Sequence, residues 1–120
     1  MERVNWRIMP VTYLIKFQVV PARRSQFLEL LQGLLNAMRS EPMFYEAILH
    51  CDPAGECRFM LYETWENHED VLNDQLKRPY RQPWHEALPR LLQRERDSTI
   101  WEPIRAYRNE LSVQPSPKKG

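Results

Sequence analysis

Cysteine is scarce: two residues, Cys51 and Cys57, in a chain of 120, too few for a disulfide scaffold. Their spacing is wider than the pairing of a zinc knuckle. His50 and Cys51 are adjacent on an extended segment, so their side chains diverge to opposite faces. The group His50, Cys51, Asp52 and Cys57 is therefore not read as a metal site. An excess of charge of one sign is also missing. The 17 basic and 16 acidic residues leave a net charge of +1, with no basic stripe. That excludes a global field for nucleic acid or an anionic membrane. No apolar run is long enough to span a membrane, and the opening "MERVNWRIMP" is too short and too polar for a signal peptide. A cytoplasmic protein is expected.

What is present reads as one ordinary folded domain, with 42% hydrophobic and 28% charged residues. Residues 11–19, "VTYLIKFQV", alternate, placing Val11, Tyr13, Ile15, Phe17 and Val19 on one face of a strand. Pro21 ends that ladder because it has no N–H to donate. Residues 22–40 carry Phe27, Leu30, Leu31, Leu34 and Met38 at helical spacing, and Pro42 stops the helix. "MFYEAILHC" (43–51) and "CRFMLYETW" (57–65) are two strands joined by the turn "DPAGE", hence an antiparallel hairpin. Asn67 is an N-cap, and the acidic residues after it suit the positive end of a helix dipole. That helix runs to about Arg78. Pro79 starts a second piece in which Tyr80, Trp84, Leu88, Leu91 and Leu92 keep the stripe, so a kinked or two-part helix is expected. Residues 98–107, "STIWEPIRAY", read as a fourth strand, with Pro103 marking an edge or a bulge.

The order β-α-β-β-α-β specifies an α+β, ferredoxin-like domain with a four-stranded antiparallel sheet and both helices on one face. Its expected span is 11–107, between an N-terminal extension (1–10) and a polar tail (108–120). The strands offer apolar side chains on both faces: Leu14 and Val20 oppose Ile15 and Phe17, and Phe44 and Ile48 oppose Tyr45, Ala47 and Leu49. A sheet open to water would be more polar on one side. A symmetric homodimer through the free face follows.

Three stretches carry a family resemblance: "VVPARRSQFLELLQGLLNAMRSEPMF", "HCDPAGECRFMLYETWENHEDV" and "RPYRQPWHEALPRLL". Their order and spacing resemble the antibiotic biosynthesis monooxygenase (ABM) domain family of the dimeric α/β-barrel superfamily. The resemblance implies an apolar pocket between helices and sheet. It also implies a small aromatic substrate, such as a quinol or anthrone, that activates oxygen as its own carbanion or enolate. No cofactor or metal is needed for that chemistry; the protein binds the substrate, strips its water and stabilises the anion. Trp65 matches the strand-end Trp of the family. Leu61 stands where the anthrone enzymes carry Asn, and Met43 where the family carries Gly. The haem-degrading branch needs an Asn on the first strand, which is absent here. A non-catalytic binding or assembly module on the same fold is the alternative.

Trp65 reads as a pocket donor or as a core plug at the strand end. Glu63 shares its face; buried, it would serve as a base, and otherwise it pairs with Arg58, Arg81 or Arg105. His85 could be a general base, or a rim residue turned away from the buried Trp84. Tyr45, Phe59, Leu61, Tyr80 and Trp84 are the expected walls. Arg81 would steady an anionic substrate.

Overall fold

A computed structural model describes residues 10–113. The expected extension over 1–10 lies outside the described residues except for Pro10, as does the tail beyond Val113. The elements are β1 (Val11–Gln18), α1 (Arg24–Met38), β2 (Phe44–Asp52), β3 (Gly55–Trp65), α2 (His68–Asn73), α3 (Gln82–Leu91) and β4 (Asp97–Trp101). Short 3-10 turns lead into α1 at Pro21–Arg23 and join α2 to α3 at Gln75–Lys77 and Pro79–Arg81. The sheet order is β2-β3-β1-β4, antiparallel throughout, which is the ferredoxin-like arrangement. No helix among the described residues is long and apolar enough to cross a membrane.

Local chemistry sets the boundaries. The Asn67 side chain accepts the Asp70 backbone N–H at 2.9 Å and so opens α2. Pro79 starts a new helical piece as expected, and Pro83 sits in the first turn of α3, while α2 stops at Asn73, short of the expected Arg78. The hairpin is tighter than "DPAGE" implies. Asp52 and Gly55 pair directly, Pro53 and Ala54 form the loop, and Asp52 Oδ1 accepts the Ala54 N–H at 2.8 Å. The fourth strand is shorter than expected. It ends at Trp101 rather than running to Tyr107, so Pro103 lies beyond the ladder.

β1 and β3 pair Val11 with Trp65, Tyr13 with Glu63, Ile15 with Leu61 and Phe17 with Phe59. These residues face the helices, together with Ser98 and Ile100 of β4. At one end of this layer the core is aromatic. Phe27 of α1 lies 5.1 Å from Phe17, 5.1 Å from Phe59 and 5.7 Å from Trp84, centroid to centroid. Leu31, Met38, Val19 and Leu91 are also fully buried in this layer. A bulge at Tyr45 shifts the parity of β2. Phe44 therefore does not oppose Ala47 and Leu49; it joins the helix-facing side and packs edge-on to Trp65 at 5.1 Å. The outer face of the sheet carries Leu14, Met60, Tyr62, Ile48 and Trp101. Ile48 and Trp101 are 46% and 55% exposed.

Candidate functional site

At the other end of the same layer, sheet and helices part around a cavity of about 250 Å³. β1 contributes Tyr13, Ile15 and Phe17 to it, and β3 contributes Leu61 and Glu63. α1 adds Leu31 and Leu34, and α2 adds His68, Val71 and Leu72. Trp84, Arg81, Arg96, Ser98 and Ile100 close the remaining sides. The walls are largely apolar, and the polar side chains of Tyr13, Glu63, His68, Arg81, Arg96 and Ser98 converge from different elements, the pattern of a small-molecule site.

Glu63 is one of two deeply buried charged groups here, with Arg81. The strand pattern that buries Phe59 and Leu61 buries residue 63 as well, here a carboxylate only 7% exposed. Trp65, two residues on and fully buried, donates its indole N–H to Glu63 Oε1 at 2.7 Å. Burial pushes the Glu63 carboxyl above the ordinary carboxylate range. The Trp65 N–H and the positive charges of Arg81 and Arg96 pull the other way without cancelling it.

Tyr13 stands opposite Glu63 in the register, and its hydroxyl lies 2.6 Å from Nδ1 of His68. Burial and the Glu63 charge raise the Tyr13 phenol to about 12, against a smaller lowering by Arg81, so it stays protonated at neutral pH. Arg81 ends the 3-10 turn before α3. Its guanidinium lies 5.7 Å from the ring centroid of Trp65 and 5.8 Å from that of Tyr80. Arg81 is only 6% exposed, and its Nε has no hydrogen-bond partner.

The structure sorts the expected site residues. Leu61, Glu63, Arg81 and Trp84 line the cavity. Trp65 lies behind it, with its N–H already committed to Glu63, so it does not face the cavity as a donor. Tyr80 is likewise one layer back. It donates its O–H to Glu41 Oε2 at 2.8 Å and offers its ring face to Arg81. Phe59 belongs to the aromatic core, stacked on Phe27, and not to the cavity wall. Tyr45 is 53% exposed at the bulge of β2, away from the cavity, because the extra residue breaks the alternation that would have turned it inward. His85 sits in a separate, open cleft of about 600 Å³ with Pro89, Arg94, Arg96 and Ser98. Burial, then Arg96 and Arg81, lower its pKa. Arg96 and Ser98 line both spaces and stand between them. Glu63 makes no ion pair with Arg58, Arg81 or Arg105 among the described residues; Arg58 pairs instead with Asp52 at 3.3 Å.

Sequence reasoning missed Tyr13, His68 and Arg96. Alternation places Tyr13 on one face of the first strand, but only the β1–β3 register puts it beside Glu63. His68 sits in the first turn of a short acidic helix, where solvent exposure is the usual state. Arg96 lies in the connection before β4, which has no periodicity to read. Among the described residues, no group of three or more His, Cys, Asp or Glu side chains could hold a metal ion.

Comparison with known proteins gives this geometry a setting. Residues 10–87 match the family model described as antibiotic biosynthesis monooxygenase. A protein of Pestalotiopsis microspora named "Putative monooxygenase GME11364" is 32% identical over 81 residues, or 65% of this chain and 66% of its own length. SnoaB of Streptomyces nogalater, a cofactor-independent oxygenase whose structure was solved as a mutant, superposes with a TM-score of 0.70 at 18% identity. The match covers 81% of this chain and 95% of SnoaB. Rv0793 of Mycobacterium tuberculosis superposes with a TM-score of 0.73 at 21% identity, over 81% and 97% of the two chains. The structural matches carry the fold, and the family-model match, over residues 10–87, includes Glu63 and Arg81. The chain belongs to the antibiotic biosynthesis monooxygenase family.

Proposed function

We propose that this protein is a cofactor-independent monooxygenase acting on a small aromatic of the quinol or anthrone type. The observation that carries the reading is a buried carboxylate at the wall of an apolar cavity, faced by a neutral tyrosine and a buried arginine. The named activity of the structural neighbour SnoaB supports it. Glu63 takes the acidic proton of the bound substrate. Its raised pKa makes it a better proton acceptor than a surface carboxylate. Arg81 and Tyr13 stabilise the enolate that remains, in a space with little water to compete. The deprotonated substrate is the reductant of oxygen: one oxygen atom enters it as a carbonyl and the other leaves as water. Trp65 holds Glu63 in place, and His68 orients the Tyr13 hydroxyl.

The outer sheet face suggests the assembly. Its exposed Ile48 and Trp101, with Leu14, Met60 and Tyr62 between them, suit a second copy of the chain in a homodimer. The competing reading is a non-catalytic ligand-binding module. Leu61 favours it, since an apolar residue lines the cavity where the anthrone enzymes place an Asn.

Oxygen uptake with a panel of quinols and anthrones decides between them. The oxygenase reading expects uptake above the uncatalysed rate, with one O₂ consumed per substrate and no peroxide released. Binding without uptake on any member would move the assignment to the module.

A further inference from the structure

Arg81 is a cation in the wrong place for a structural role alone. It is 94% buried, since only 6% of its surface is exposed, and no hydrogen bond or ion pair reaches its guanidinium among the described residues. Its Nε–H is enclosed without an acceptor. What holds it is aromatic: the rings of Trp65 and Tyr80. Such contacts offset an unpaired buried charge only in part. Buried arginines are normally matched by a carboxylate or phosphate.

The nearest candidate inside the chain is Glu63, but its Oε1 is taken by Trp65 and it makes no ion pair with Arg81. A second cation, Arg96, lines the same cavity and its mouth. The cavity therefore presents two guanidinium groups against one carboxyl group, whose Oε1 is already bonded to Trp65, within walls that are largely apolar.

We infer that the ligand of this cavity is an anionic aromatic, its acid group bound by the buried Arg81 with Arg96 at the mouth and its ring system against Ile15, Leu61 and Trp84. This deepens the functional reading and rests on the same cavity being the substrate site. It narrows the substrate class from aromatics in general to aromatic acids. The planar guanidinium of Arg81 would take a carboxylate through its terminal nitrogens, which are not enclosed as Nε is.

The test is binding without turnover, by anaerobic titration calorimetry with 2-naphthoate and its neutral isostere 2-naphthamide. The wild-type protein is expected to bind the acid at least tenfold more tightly than the amide. Arg81→Met keeps a stem of similar length against Trp65 and Tyr80; it is expected to erase that preference, bringing acid and amide to equal affinity. Arg81→Lys is expected to restore part of it. Equal affinities in the wild type, or no binding of either compound, overturns the inference without reference to any variant. A preference that survives Arg81→Met and falls in Arg96→Met also overturns it, because the anion would then sit at the mouth. The outcome is separable from the oxygenase reading. A strong acid preference with no oxygen uptake sustains the anion site and sinks the oxygenase. Uptake on neutral quinols with no acid preference does the reverse.

Discussion

The two ends of the helix-facing layer share strands, face and alternation, yet differ in kind. Around Phe17, Phe27, Phe59 and Trp84 the layer is closed by ring-to-ring packing at 5.1 to 5.9 Å. Two residues to four residues further along β3, the same inward positions hold Leu61 and then Glu63, and the layer opens into the cavity. A strand that needed only a core would continue with an apolar residue at 63. The departure from the apolar pattern coincides with buried Arg81 and with the Tyr13–His68 pair. Such local violations of good packing mark sites where function, not stability, sets the residue.

The contrast can be broken from either end. The largest effect belongs to the dry end: Phe27→Ala removes the ring shared by three aromatic neighbours and should cost about 3–5 kcal/mol in chemical denaturation. Trp65→Phe comes next. It leaves Glu63 Oε1 without its donor, for a loss of about 1–3 kcal/mol. It should also raise the Glu63 pKa further, moving the acidic limb of the pH–rate profile upward, because the lost N–H had stabilised the charged form. Tyr13→Phe should change stability by less than about 1 kcal/mol and lower the uptake rate by about 10-fold to 100-fold, as for a lost transition-state donor. The smallest effect is expected for His85→Ala, which lies in the outer cleft and should leave uptake within about twofold.

The pH dependence of stability sharpens the same comparison. The Glu63 pKa in the folded protein lies above its ordinary value of 4.5. Above that ordinary value the native state binds more protons than the unfolded one. Stability from this group is therefore fully present in acid and declines as pH rises through the folded pKa. Glu63→Gln should flatten that decline. Phe27→Leu, at the dry end, should lower the whole curve without changing its slope, as seen by denaturation across acid to neutral pH.

Much of the fold was legible in the sequence. Alternation in residues 11–19, the helical stripe of Phe27, Leu31, Leu34 and Met38, and the Asn67 cap each act over a few residues, and each appears where expected. What failed depended on distance or on one inserted residue. The bulge at Tyr45 turned Phe44 inward and left Tyr45 half exposed, which no alternation rule anticipates. β4 stopped at Trp101 because only β1 pairs with it, and the chain beyond has no second ladder to join. The site was half legible. Glu63, Leu61, Arg81 and Trp84 follow from inward parity and helical spacing, whereas Tyr13 and His68 meet only through the β1–β3 register and the placement of α2.

The central claim is that the polar end of the layer exists for chemistry. The direct measurement is Glu63→Gln, taken for unfolding free energy and for oxygen uptake on the same preparation. Gln can still accept the Trp65 N–H and removes a buried ionisable group. The account predicts equal or higher stability at neutral pH together with uptake reduced to the uncatalysed rate. Uptake that persists near the wild-type rate, with stability lowered instead, would contradict it and make Glu63 a structural residue.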